Sequence, residues 1–460
     1  MATTSPKTAL TERTNLKLAT PTTLTSWLKR PASSTLADTP VSKAPTTTIT
    51  LNHASKEDLH VSPPLRRVHF YRHFLSSVLL RHQCIQMSFA VTRSWTSLSS
   101  LHRMLAHTPT ARARSGGSPI LAIATEQGTV HTVNTQARKA WDPEPVHTTL
   151  QPHNNGIFDV KWNATDNLLA TASGDRTGRV CDVETSTPIH TLGGHFSTLK
   201  CVSWNPRNPN LVSSGGREGM ICVWDIRAGE SRSSDAALLA VQTILAAHED
   251  IGPTGKRKEP KGKHANAPRT VTGLSYSDMN EFHLITSGSA DGILRCWDLR
   301  TTKKVKEPAC VLFSPQDATL QTTSSRRPRG IISLAQGCGP SVGLIFALAA
   351  DARIYTFDRD SLTAYGHTYT HTNLRTNFYV GLSTSPCGRW LASGGAGIPG
   401  SGFMFDVSNA TRGQIAEPGV ELKGYTGECG GVDWADGMLA TAWDDGVVRV
   451  WRPRVNDEIE

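Results

Sequence analysis

No run of eighteen apolar residues occurs in this 460-residue chain, and its first thirty residues are polar and threonine-rich, where a secretory signal would need an apolar centre. Neither a membrane-spanning helix nor an export signal is therefore expected, and the reading is of a soluble intracellular protein. Paired-ligand chemistry is missing too. The nine cysteines, at 84, 181, 201, 222, 296, 310, 338, 387 and 429, include no CxxC pair and no Cys/His cluster at zinc spacing. Most lie in apolar, strand-like runs, so they read as reduced packing residues and no metal site is expected. The nucleotide-binding GxxxxGK[ST], the zinc-protease HExxH and the hydrolase GxSxG are all absent. "GAGIPG" at 395–400 matches the dinucleotide fingerprint in letters only. That fingerprint must open a helix after a strand, whereas here "SGFMFD" continues a hairpin. No catalytic residue and no cofactor is expected, and the chain reads as a non-enzyme.

The charge is unevenly placed. Residues 1–117 hold 15 Lys/Arg against 4 Asp/Glu, which leaves the remainder slightly acidic although the whole chain is at +9. A basic arm of this kind favours acidic partners or non-specific contact with nucleic acid, or is simply a solvated tail.

A repeat accounts for most of the rest. A tight turn followed by a short strand recurs seven times: "EQGTVHTVN", "GDRTGRVCD", "REGMICVWD", "ADGILRCWD", "ADARIYTFD", "PGSGFMFD" and "DDGVVRVWR". Small-residue runs such as "LLATAS" and "HLITSGS" precede the turns, so each copy is a β-hairpin. The positions equivalent to the strand Trp, 133, 181, 224, 297, 357, 405 and 451, several of them not Trp, are 48, 43, 73, 60, 48 and 46 apart. Four of these intervals approach the roughly 40 to 45 residues of a four-stranded WD40 blade, and the two long ones mark insertions. The fold expected is all-β, a seven-bladed WD40 propeller. "HNNGIFDVKWN", "HFSTLKCVSWN", "RTVTGLSYSD" and "NFYVGLSTSP" read as innermost strands, two of them opened by His153 and His195. A His, a strand Ser/Thr, a turn acid and the strand Trp can share hydrogen bonds within a blade, a structural rather than a catalytic use.

Four segments follow. Residues 1–62 are Thr/Ser/Pro-rich and read as a disordered arm; 63–117 are basic; 118–454 form the propeller, with a basic insertion at about 228–268; and 455–460 are a tail. Within 63–117 two readings stay open: an amphipathic helix over "PLRRVHFYRHFLSSVLLRHQC", suited to an adaptor, or a ring-closing strand at "CIQMSFAV". The run "GKRKEPKGKHANAPR" at 255–269, with six Lys/Arg, reads as a solvated basic loop.

Two strands end alike, in "ICVWDIR" (Arg227) and "LRCWDLR" (Arg300). In consecutive blades, the residue two beyond the Trp-Asp pair lies in the turn leaving one face of the disc. Arg227 and Arg300 should thus stand side by side, each offering a five-donor fork suited to carboxylates. The plainer alternative is a pair of arginines bonded to their own loops.

These runs, "LVSSGGREGMICVWDIR" and "LITSGSADGILRCWDLR", resemble the extended WD-x-R box of cullin-RING ubiquitin ligase substrate receptors. With "HNNGIFDVKW", "SGDRTGRVCDV", "GGHFSTLKCVSW" and "FYVGLSTSP", roughly 118–452 is similar to the denticleless-type receptors. The resemblance implies a non-catalytic, nuclear receptor subunit. It would hold replication-licensing and chromatin proteins, bound to the PCNA sliding clamp, near the ligase's ubiquitin-charged enzyme. Its implied adaptor-binding residues are Trp224, Asp225, Arg227, Trp297, Asp298 and Arg300, contacting the damaged-DNA-binding-protein adaptor of the cullin-RING core. Cys181, Phe357 and Phe405 depart from the usual Trp. The chain also stops at Glu460, where many animal relatives continue into a clamp-binding tail, which implies that clamp binding has moved. "TTLTSWLKRP" offers a place for it: Leu24, Trp27 and Leu28 have the spacing of a clamp-binding turn, with Lys29 and Arg30 behind, although Pro21 stands where a Gln is usual. The second reading is a WD40 scaffold that binds histones or assembles a nuclear RNA–protein complex, with strongly salt-dependent affinity.

Overall fold

The structure, a computed structural model, describes residues 104–109, 117–136, 147–229, 237–249, 269–300, 308–322, 327–398, 400–412, 418–423 and 427–452. The N-terminal arm, most of the 63–117 segment, nearly all of the basic run 255–269, and Leu24, Trp27 and Leu28 lie outside the described residues.

The strands form seven antiparallel sheets, each laid down in chain order. Blade one comprises Met104–His107, Ile120–Ala124, Val130–Asn134 and His147–Leu150, and blade two Ile157–Trp162, Leu168–Ser173, Gly178–Asp182 and Thr187–Leu192. Blade three is Leu199–Trp204, Leu211–Gly216, Ile221–Asp225 and Gln242–Ile244, and blade four Val271–Tyr276, His283–Gly288, Arg295–Asp298 and Ala309–Phe313. Blade five is Ile331–Gln336, Leu344–Ala349, Ile354–Asp358 and Ala364–Tyr369, and blade six Leu382–Thr384, Trp390–Ser393, Ser401–Asp406 and Val420–Lys423. Blade seven has three strands among the described residues, Cys429–Ala435, Met438–Trp443 and Val448–Trp451. The first strand of each blade packs on the first strands of the blades before and after it, and that of blade seven packs on that of blade one. The chain is therefore a closed seven-bladed β-propeller, with the first strands lining its centre. Closure leaves no lateral seam between sheets to aggregate.

The hydrophobic pattern explains the stacking. Second strands such as "LLATAS" and "MLATAW" are buried on both faces, because each blade is covered on either side by its neighbours. Their small residues let sheets approach while large ones fill the gaps. The seven positions equivalent to the blade tryptophan, Val133, Cys181, Trp224, Trp297, Phe357, Phe405 and Trp451, are all buried. Val133, Cys181 and the two Phe residues thus fill the expected slot with less volume.

Two boundaries differ from the sequence expectation. The propeller includes Met104–His107, upstream of residue 118, because blade one needs an inner strand to wedge between blades seven and two. Four residues with little periodicity gave no signal for it. The insertion at about 228–268 also supplies structure: it carries blade three's outer strand, Gln242–Ile244, and the buried His248. "GAGIPG" joins the second and third strands of blade six, as a hairpin requires. Gly395 exchanges both backbone hydrogen bonds with Cys429 of blade seven, and a Cβ on Gly400 would fall 2.4 Å from the Gly427 carbonyl oxygen. The glycines permit this close approach between blades.

Candidate functional site

Arg227 and Arg300 follow the third strands of adjacent blades at equivalent positions, and the same local geometry recurs at both. Asp225 closes its strand and accepts from the Arg227 backbone N–H at 3.1 Å, from Nε at 3.0 Å and from Nη2 at 2.6 Å. Asp298 accepts from the Arg300 backbone N–H at 2.9 Å, from Nε at 3.0 Å, and from Nη2. In each case a carboxylate grips one edge of the guanidinium of the residue two positions on. These hydrogen bonds hold both carboxyls below the ordinary aspartate range, against the smaller opposing effect of burial. The arginines are thus bonded to their own turns, and they nevertheless remain on the surface: the side chains are 61% and 57% exposed. An exposed pair of this kind contributes little to stability, but it fixes the rotamer of a long side chain that would otherwise lose entropy on docking.

Trp224 and Trp297 do not reach that surface. Trp224 is fully buried and donates to the Gly193 carbonyl at 3.2 Å; Trp297 is 7% exposed and donates to Thr286 Oγ1 at 3.1 Å. Both anchor the strands that carry the arginines, and are positioning rather than contact residues. Blades three and four are also tied together beneath the arginines. Gln242 Nε2 donates to the Leu299 carbonyl at 2.6 Å, Asn205 Nδ2 to that of Glu281 at 2.8 Å, and Arg207 Nη2 to that of Asp278 at 2.8 Å. Sequence reasoning missed the apolar companions of the pair. The Arg300 guanidinium lies 6.0 Å from the Phe282 ring, and in the same turn Met279 is 69% exposed. "SDMNEF" reads as a polar turn, and only its two large apolar residues hint at a surface for another protein.

The histidine networks are structural. His153 bonds Asp175 at 2.8 Å and Thr171 at 2.8 Å; His195 bonds Glu218 at 2.5 Å and Ser214 at 2.6 Å. In blade four, His248 bonds Thr286 at 3.0 Å, and burial followed by the charges of Arg295 and Arg269 holds its pKa well below the usual histidine value.

At the arginine end of the ring centre is a cavity of about 470 Å³, lined in part by His107, Trp162, Gln336, Thr384 and Asp433. Asp433 accepts from the His107 backbone N–H at 2.7 Å and from Ser383 Oγ at 2.9 Å, and its Oδ2 lies 3.2 Å from His107 Nδ1. Among the described residues His107 Nε2 has no hydrogen-bond partner, and none of them holds a hydroxyl or thiol against it as a nucleophile. The described residues also contain no group of three or more His, Cys, Asp or Glu able to hold a metal ion.

The WD domain, G-beta repeat model matches residues 143–182, 186–225 and 261–298, within blades one to four. The chain is 30% identical over 348 residues to Denticleless protein homolog A of Xenopus laevis, an alignment covering 73% of this chain and 46% of that protein. It is 30% identical over 364 residues to Cell division cycle protein cdt2 of Schizosaccharomyces pombe, covering 76% and 69%. The match to the human Denticleless protein homolog is 29% over 345 residues, 72% of this chain and 44% of the relative. The chain thus spans about half the length of the vertebrate relatives and about two thirds of the fission-yeast one. A chain in the solved "Crystal Structure of Mitotic Checkpoint Complex" superposes with a TM-score of 0.55 at 16% identity, over 84% of this chain and all of that one, a likeness of fold. Propeller architecture, WD repeats and the extent of the fission-yeast match together place this chain in the denticleless family of WD-repeat proteins.

Proposed function

We propose that this chain is the non-catalytic substrate-recognition subunit of a cullin-RING ubiquitin ligase. It acts in the nucleus, docks on the damaged-DNA-binding-protein adaptor, and presents PCNA-bound replication-licensing and chromatin proteins for ubiquitination. The observation that carries the reading is the repeated Asp-x-Arg clamp. Adjacent blades orient Arg227 and Arg300 at equivalent positions, more than half exposed, and Arg300 lies against Phe282, whose turn also carries the exposed Met279. Oriented guanidinia next to apolar side chains have the composition of an interface hot spot. Clamp binding falls to Leu24, Trp27 and Leu28 in the arm, and recruitment works by raising the local concentration of substrate at the ligase.

The test is capture of purified adaptor by the full chain and by the Arg227→Ala/Arg300→Ala double variant. Desolvated arginine anchors are worth about 2 to 4 kcal/mol each, so the variant should lose at least about a hundredfold in affinity while melting like the wild type. Equal capture by a folded double variant overturns adaptor docking through this pair. Recovery of histones or RNA, in place of cullin and adaptor, from native purifications would favour the scaffold reading.

A further inference from the structure

The end of the ring centre away from the arginines carries an unusual cation. The inner strands of blades two, three, four, five and seven each slip register near their starts, at Ile157/Asp159, Leu199/Cys201, Val271/Gly273, Ile331/Ser333 and Cys429/Gly431. A bulge takes its extra residue out of the strand's alternation and re-aims its side chain. In blade two that residue is Phe158, and in blade three it is Lys200.

Phe158 stacks on Tyr379, with ring centroids 6.0 Å apart and planes at 20°. Phe378 meets Tyr379 edge to face at 5.9 Å. The Lys200 Nζ lies 4.4 Å from the Phe378 centroid and 5.8 Å from that of Tyr379. Phe378 and Tyr379 precede the inner strand of blade six, whereas blade six neighbours only blades five and seven. Contact with blades two and three is therefore made across the end of the ring centre.

Lys200 is 6% exposed, and among the described residues its ammonium makes no hydrogen bond. The acid that acts on it, Asp159, is already occupied. Its Oδ2 accepts from Val202 N–H at 3.0 Å, and its Oδ1 accepts from Val160 N–H at 3.0 Å and lies 3.5 Å from Lys161 Nζ. Burial, only partly opposed by Asp159, brings the Lys200 pKa down from 10.5 to about 8. Aromatic faces compensate part of a cation's lost hydration but accept no N–H hydrogen bond of ordinary strength, so three donors are left for something else. The rings around it are half-buried, open on one side to a ligand.

We infer that this mouth of the ring reads an acidic residue of a bound peptide, Lys200 donating to the carboxylate while Phe158, Phe378 and Tyr379 pack on the methylenes that carry it. A carboxylate suits the site better than a phosphate. Among the described residues Lys200 is the one cation seated among the rings, and although Arg217 also acts on Tyr379, the negative charges of Asp159 and Glu126 offset that second cation, whereas a phosphate dianion is normally met by several donors or by arginine forks. The inference rests on the receptor reading only for the nature of the partner, a polypeptide. Carboxylate binding is measured on the isolated chain and adaptor capture on the opposite face, so each can fail without the other.

The experiment is ligand-observed NMR on the full chain. Its probes are N-acetyl-aspartate N-methylamide, the glutamate analogue, the isosteric N-acetyl-asparagine N-methylamide and the O-phosphoserine analogue. The carboxylate probes should bind saturably and at least tenfold more tightly than the asparagine probe. Lys200→Arg should retain binding within a few fold, and Lys200→Met, which keeps the aromatic packing, should lose at least tenfold while melting like the wild type. Equal response to acid and amide, no binding at all, or full binding by Lys200→Met would overturn the assignment. Preference for phosphoserine would overturn the choice of a carboxylate.

Discussion

At the scale of single residues, the clearest electrostatic feature is a carboxylate held by a blade histidine. Burial raises the Asp175 pKa, but hydrogen bonds from His153 and Thr177, with the electrostatic pull of His153, outweigh it and bring it to about 2 from 3.8. The folded-state pKa lies below the unfolded one. The stabilisation is therefore complete above about pH 5 and is lost as the pH falls through 4 toward 2. The Asp175 side chain is about a quarter exposed, and screening reduces its worth to about 1 kcal/mol. Asp175→Asn should cost about that much at pH 6 and distinctly less at pH 3, in paired denaturant titrations; an equal cost at both would show that the charge contributes nothing. The cysteines make a second prediction at this scale. Burial pushes the thiols of Cys181, Cys222, Cys296 and Cys429 up to about 12, and that of Cys201 higher still, whereas Cys387 is exposed. Brief alkylation of the native chain at pH 8, read by mass spectrometry, should modify Cys387 and spare those five until denaturant is added. Their scattered placement in apolar runs already indicated packing residues. The Trp-Asp-x-Arg spelling likewise indicated which arginines reach a surface, since the Trp anchors the strand and the Asp orients the turn. The Lys200 cluster was not legible: Phe158, Lys200 and Phe378–Tyr379 are far apart in sequence, and only bulges and ring closure bring them together.

At the scale of elements, the turn between second and third strands explains why the repeats could be counted. Gly128, Gly219 and Gly446 sit in that turn with φ near +83°, and the equivalent Arg176 and Ala352 hold φ of +71° and +61°. The backbone pattern survives loss of the glycine because the strands on both sides fix the turn, and that persistence kept the repeat visible where the side chain had changed. A left-handed non-glycine residue costs about 1 kcal/mol or slightly more, part of which a glycine would return to unfolded-chain entropy. Ala352→Gly is expected to raise stability by about 0.5 to 1 kcal/mol, seen as a higher denaturant midpoint at unchanged slope; a fall in the midpoint would show that this turn is not strained. The inner strands were partly legible, because "IFDVKW" and "LKCVSW" combine β-prone runs with an opening histidine. Met104–His107 has four residues and no repeat partner at the expected spacing, so only the demand of the ring reveals it.

At the scale of the whole molecule, the ring must join its last blade to its first, and the joint is polar. Asp433 of blade seven bonds the backbone and ring of His107 in blade one, and also accepts from Ser383 in blade six. Thr135 Oγ1 of blade one donates to Met438 Sδ of blade seven at 3.4 Å, and the Arg452 guanidinium donates to the Thr135 carbonyl. Blades two and three continue the seam through indoles: Trp162 Nε1 donates to the Ala106 carbonyl at 2.9 Å, and Trp204 Nε1 to that of Lys161 at 3.0 Å. None of these partners is near the other in sequence, so the closure is set by topology rather than by any local motif. Asp433 is the member with most to lose. Its side chain is 8% exposed, and Asp433→Ala would leave the His107 backbone N–H buried without an acceptor. Leaving a buried donor unsatisfied typically costs about 1 to 3 kcal/mol. Asp433→Asn keeps the size and one acceptor oxygen, so it should cost less than half as much. Because inner strands meet all around the ring, the loss should lower the midpoint of the whole propeller and not unfold one blade alone. Chemical denaturation followed by tryptophan fluorescence and by far-ultraviolet circular dichroism should give coincident, shifted transitions for Asp433→Ala. Separate transitions, or an unshifted midpoint, would mean that the ring is held by its apolar blade faces and that this polar joint only sets their register.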